Sequence, residues 1–97
     1  MMRVLVTYKV KADRVAENEE LVRAVYAELH AIGDPDIHYA TFKKEDGVSF
    51  VHFASFPSKE KQAILSGCAA FQADLKDRCE IPPSPAPLTE VGSVNFV

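Results

Sequence analysis

An α+β fold with the element order β-α-β-β-α-β is predicted by three features of this 97-residue chain. A period-two apolar pattern over residues 3–11 runs into a long pattern of three- and four-residue spacings over 13–32. Two more period-two segments, 37–43 and 48–55, meet at Asp46-Gly47. An interrupted helical pattern over 58–78 and a proline run then lead to a last apolar segment, 88–96. Alternation of two marks a half-buried strand, and spacings of three and four mark an amphipathic helix. The order is the split βαβ arrangement of ferredoxin-like folds, built on an antiparallel sheet. The length fits a single domain spanning residues 1–97.

The first strand sets Val4, Val6, Tyr8 and Val10 on one face and Arg3, Leu5, Thr7 and Lys9 on the other. Leu5 on the second face implies cover on both sides of a central strand. The first helix is expected to open at Asp13, a good N-cap. Glu17, Glu19 and Glu20 then complement the positive end of the helix dipole. It should close at Gly33, which suits the left-handed position after a helix, before Asp34-Pro35 forbids continuation. Its stripe reads Val15, Asn18, Val22, Val25, Leu29 and Ile32, with Asn18 the one polar member. Two readings of that amide stay open: a wet position near the helix end, or a group aimed into a pocket between helix and sheet.

The second and third strands form a hairpin, because Asp-Gly tolerates positive φ. A four-residue loop at 44–47 would set Tyr39 opposite His52. A two-residue turn at Asp46-Gly47 would slide the partners but keep the parity, so either way Tyr39, Thr41, Phe50 and His52 share one face, with Ala40, Phe42, Val51 and Phe53 on the other. Both faces are apolar, so both need cover. The second helical region is expected to start at Ser58 and break at Ser66-Gly67, since glycine costs about 1 kcal/mol inside a helix. Beyond the break it carries Phe71, Leu75 and Cys79. The segment 81–87, with four prolines, reads as a stiff spacer to a last strand at 88–96.

Composition excludes several functions. A formal charge of −3 argues against a phosphate-neutralising surface. An RNA-binding sheet with the same strand order would need exposed aromatic side chains and a basic surface. No apolar run approaches the roughly 20 residues that span a bilayer, and the opening residues lack a signal-peptide pattern, so a cytoplasmic protein is expected. Cys68 and Cys79 lie too far apart along a helix for a disulfide and have no companion histidine for zinc, so reduced thiols and no metal site are expected.

Among the three histidines, His30 falls on the polar side of the first helix and His38 opposes Tyr39 in parity. His52 stands in Val51-His52-Phe53, within an apolar strand, where an imidazole needs partners for its ring nitrogens. It reads either as a structural residue bonded to Tyr39, Thr41 or backbone, or as a proton donor or acceptor. No nucleophile elbow, phosphate loop, dinucleotide fingerprint or zinc-protease motif occurs.

Val6-Thr7-Tyr8-Lys9-Val10-Lys11 entering a long helix, Tyr39 after Asp34-Pro35, and Phe50-Val51-His52-Phe53-Ala54-Ser55-Phe56 entering a second helix resemble the antibiotic-biosynthesis-monooxygenase-like family. The resemblance implies a homodimer whose sheets pack face to face into an α+β barrel, with a pocket between sheet and helices in each subunit. It also implies oxidation of a small phenolic or quinone-like substrate by dioxygen, with no cofactor. On that basis His52 is the expected catalytic group, Asn18 and Tyr39 orient the ligand, and Phe71 walls the pocket. The alternative is a non-catalytic small-molecule sensor or stress-related dimeric module. It draws on Ala54 and Phe56, which stand where the family often has Glu and Trp.

Overall fold

A computed structural model of the chain describes residues 2–66 and 69–96, the side chains of 63–70 excepted. Strand β1 (Met2–Val10) is followed by a single 3-10 turn (Ala12–Arg14) and helix α1 (Val15–Ile32). Strands β2 (His38–Lys43) and β3 (Ser49–Phe56) form the hairpin. Helices α2 (Lys59–Ser66), α3 (Ala69–Gln72) and α4 (Leu75–Arg78) lead to strand β4 (Cys79–Leu88). The sheet order is β2-β3-β1-β4 and all pairs are antiparallel, which is the ferredoxin-like α+β arrangement.

The last strand differs from the expectation. It is the proline run itself, and residues 89–96 carry no strand. Prolines are tolerated on an edge strand because only one side of it must supply ladder N–H groups. Pro83, Pro85 and Pro87 recur at every second position, so their missing N–H groups all fall on the same side of the strand. Ser84, Ala86 and Leu88, which pair with Thr7, Leu5 and Arg3, are left to serve β1. Pro82 breaks this parity, and it falls where the register shifts between Thr7 and Lys9, a bulge position that proline also tolerates.

Other boundaries move for local reasons. The 3-10 turn takes up Asp13, and α1 starts after Arg14 with no side-chain cap. Gly33 does close α1, at φ +65°, donating its N–H to the Leu29 carbonyl at 3.0 Å. Ile32, the last member of the apolar stripe, is 53 % exposed. In the hairpin, Asp46 accepts from the Val48 and Ser49 N–H groups and Gly47 has φ +77°. The register pairs Thr41 with His52 and Lys43 with Phe50, the slide that a two-residue turn at Asp46-Gly47 sets, two residues from the four-residue-loop pairing and with parity kept. The expected break at Ser66-Gly67 falls largely outside the described residues, as does Cys68. A second interruption at Ala73-Asp74 separates α3 from α4.

The core lies between the helices and one sheet face. Tyr8, Val10 and Phe50 from the sheet meet Val22 and Val25 of α1, with Phe71, Leu75 and Cys79 from the chain beyond α2. Cys79 is a buried free thiol whose pKa burial raises. The opposite sheet face carries Leu5, Val51 and Phe53, none fully buried, and Phe42 at 60 % exposure. Part of it is crossed by the end of the chain. There the Phe96 ring packs edge-on against Phe53 at 5.4 Å, and Arg3 pairs with Glu90.

Candidate functional site

Strand pairing brings the site together. Val6 of β1 lies opposite His52 of β3, which lies opposite Thr41 of β2. The pleat then aims Tyr8, His52, Thr41 and Tyr39 at the helices. His52 is 5 % exposed, and both its ring nitrogens are engaged. The Tyr8 hydroxyl lies 2.8 Å from Nε2. The Tyr39 hydroxyl lies 2.6 Å from Nδ1, with Thr41 Oγ1 at 3.2 Å. Tyr26 of α1 reaches Thr41 Oγ1 at 2.8 Å.

Behind Tyr8 the network continues inward. Asn18 Nδ2 donates to the Tyr8 hydroxyl at 3.0 Å, and Arg78 Nε donates to Asn18 Oδ1 at 2.9 Å. Asn18 and Arg78 are both fully buried. Arg78 also donates through one terminal nitrogen to the Phe71 carbonyl at 3.0 Å, and its guanidinium carbon lies 5.2 Å from the Phe71 ring centre. Among the described residues its other terminal nitrogen is buried without a hydrogen-bond partner, and no carboxylate forms an ion pair with it.

A cavity of about 150 Å³ opens beside this network. Tyr8, Tyr39, His52 and Gln72 supply its polar groups; Val6, Phe71, Leu75 and Pro83 form the rest. An apolar cavity of roughly that size accommodates a benzene ring. A hollow of about 210 Å³ beside Gly33 and one of about 470 Å³ under the chain end are larger, but His52 lines neither. The His52 cavity is the one that joins shaped apolar walls to convergent polar groups.

Burial sets the protonation states. It lowers the His52 pKa from 6.5 to about 4, so the ring is neutral at ordinary pH. It pushes the Tyr8 hydroxyl up to about 12, although the Asn18 hydrogen bond and the nearby Arg78 charge pull the other way. Tyr8 is therefore protonated. No group of three His, Cys, Asp or Glu side chains among the described residues is placed to hold a metal.

Of the residues singled out from sequence, His52, Tyr39 and Phe71 line the cavity. Asn18 does not. It is neither wet nor aimed at a ligand, because Tyr8 stands between it and the cavity and its amide is taken by Tyr8 and Arg78. The sequence pattern places Tyr8 on a strand face without assigning it to the site, and does not single out Arg78. The available signal was spacing: Phe71, Leu75 and Arg78 stand at i, i+4 and i+7, so Arg78 is the polar member of an apolar stripe, as Asn18 is of the other.

No family model matches the chain, and no curated protein matches it. Solved structures do, over nearly the whole length. The chain is similar to an antibiotic biosynthesis monooxygenase at a TM-score of 0.74 and 14 % identity, covering 95 % of this chain and 100 % of that one. It is similar to SnoaB, a cofactor-independent oxygenase from Streptomyces nogalater, at 0.73 and 14 %, covering 98 % and 97 %. It is also similar to the NE2512 protein of unknown function from Nitrosomonas europaea, at 0.76 and 17 %, covering 99 % and 94 %. The chain thus has the fold of antibiotic-biosynthesis-monooxygenase-like proteins. At these identities the likeness is one of fold.

Proposed function

We propose that the protein binds a single-ring phenolic compound in the His52 cavity and oxidises it with dioxygen, without metal or flavin. One observation carries this reading. A neutral imidazole, held between two tyrosine hydroxyls, forms part of the wall of a partly apolar cavity of ring size. Cofactor-free oxygenation needs an electron-rich anion, and removal of a phenolic proton creates one. In the net reaction of a phenol, one oxygen atom enters the ring as a new carbonyl and the other leaves as water. His52 supplies the proton-accepting nitrogen, Tyr39 positions the ring and Phe71 packs on it. Fold likeness to SnoaB adds support by analogy.

The test is oxygen uptake by metal- and flavin-free protein with a panel of phenols and hydroquinones. His52→Gln is expected to lower the rate about a hundredfold or more, the lower range for loss of a general base. Equal rates in the two proteins would defeat the assignment. The sensor reading is favoured by one feature, that both ring nitrogens of His52 are already occupied. Ring binding without oxygen uptake would establish it.

The same proposal includes a cytoplasmic homodimer joined through the outer sheet face. Phe42 and Leu88, 60 % and 40 % exposed, leave apolar surface there that the helices cannot reach. Light scattering is expected to give twice the chain mass. A monomer at micromolar concentration would exclude the face-to-face barrel.

A further inference from the structure

The hydrogen bonds behind the cavity have a direction, and it is set at Arg78. A guanidinium only donates, so the Asn18 atom that faces Arg78 Nε, 2.9 Å away, is the amide oxygen. The amide nitrogen then faces Tyr8 and donates to its oxygen at 3.0 Å. The Tyr8 proton needs an acceptor of its own, and His52 Nε2 lies 2.8 Å away. If Nε2 instead carried the proton, Tyr8 would accept twice. Its own hydrogen would then turn into the cavity, where no other described residue lies within hydrogen-bond distance of it, and the bond that His52 can accept would be lost. His52 therefore has a bare Nε2, and its proton sits on Nδ1 between the Tyr39 and Thr41 oxygens.

We infer that Arg78 and Asn18 are positioning residues that fix His52 as the Nδ1–H tautomer, and that Tyr8 is the group through which a ligand's proton reaches it. This rests on the proposal that the cavity takes a phenol. The Tyr8 oxygen accepts from Asn18 and donates to Nε2, which leaves it one lone pair, and Tyr8 lines the cavity. A ligand hydroxyl bonded there gives its proton to the Tyr8 oxygen as Tyr8 gives its own to Nε2. The ligand O–H and the old Tyr8 O–H break, a new Tyr8 O–H and an Nε2–H form, and the products are a phenolate and an imidazolium. The ligand class is then a hydroxyl-bearing ring; a ring ether, lacking the proton, loses the bond.

Nitrogen-15 NMR of the histidine ring in the full-length protein tests the chain of bonds without any ligand, because a bare ring nitrogen resonates far downfield of a protonated one. The wild type is expected to show a bare Nε2. Asn18→Asp replaces the donating amide with an acceptor, so Tyr8 should turn its proton to Asp and His52 should show a bare Nδ1. A wild-type spectrum with a bare Nδ1, or with the two tautomers averaged, overturns the inference even if the variant fails to fold. An unchanged tautomer in a folded variant overturns the role of Asn18. The ligand arm compares phenol with anisole by calorimetry. Wild type is expected to prefer phenol about tenfold, or about 1.4 kcal/mol, and Tyr8→Phe to lose that preference. A preference that survives in Tyr8→Phe refutes the receiving role of Tyr8. Binding of neither ring removes the cavity reading and the role of Tyr8 with it, while the wild-type tautomer still decides the chain behind it.

Discussion

Arg78→Ala is expected to destabilise the protein by on the order of 3–5 kcal/mol, the largest effect of any single change considered. The side chain is fully buried and its loss acts in two ways. It leaves the Asn18 oxygen and the Phe71 carbonyl without the donor they now have, each costing about 1–3 kcal/mol when buried and unpaired. It also opens a void against the Phe71 ring. Arg78 further anchors the start of the fold, since the Lys11 N–H donates to its carbonyl at 3.0 Å, but that backbone bond survives the substitution. Domains of this kind have only about 5–15 kcal/mol in total. Urea unfolding should therefore show a much lower midpoint with a similar slope. A loss under about 1 kcal/mol would show that the buried guanidinium is held at nearly the cost of its own desolvation.

Acid should weaken the fold through His52 over a defined window. Its pKa is lowered by burial to about 4, against 6.5 when exposed. Between these values the unfolded chain binds a proton that the folded protein refuses, so stability falls as the pH drops from about 6.5 to about 4. The full shift corresponds to roughly 3 kcal/mol. Asp34, Asp46, Asp74 and Glu90 are all held below their ordinary values by hydrogen-bonding partners, so their contribution is lost as the pH falls below those values, 3.8 for the aspartates and 4.5 for Glu90. Denaturant unfolding at pH 7 and pH 4.5 separates the two. Wild type should lose stability between them and His52→Gln should lose much less. Equal losses would assign the acid sensitivity elsewhere. The same depressed value leaves oxygen uptake without a histidine step near pH 6.5, where an exposed imidazole would impose one.

Much of the site could be read because sheet parity is insensitive to even slides. The hairpin takes the register of the two-residue turn rather than of the four-residue loop, yet Tyr39, Thr41, Phe50 and His52 share the helix-facing side in both. Parity also put Tyr8 on an apolar face of β1, but only the β1–β3 pairing, a contact across more than forty residues, sets it against His52. Asn18 was visible as the one polar member of its stripe. Its partner was not, because Arg78 closes a four-residue helix in a region read mainly for its apolar side chains. The proline run misled for a different reason. Polyproline and β backbones are both extended, and what makes residues 79–88 a strand is the neighbour β1, which no local pattern reveals.

The alternating prolines of β4 also decide how the sheet can grow. An edge strand normally offers a second row of donors on which another chain can template. Here that outer row is interrupted at Pro83, Pro85 and Pro87, so the sheet terminates itself on the β4 side. Addition of a foreign strand is confined to the far edge, β2, which is six residues long and runs out into Lys43-Lys44. Short length and lysine at an edge both discourage pairing. Both sheet edges thereby discourage strand pairing between copies of this chain, and the open face is the surface that the proposed dimer would use.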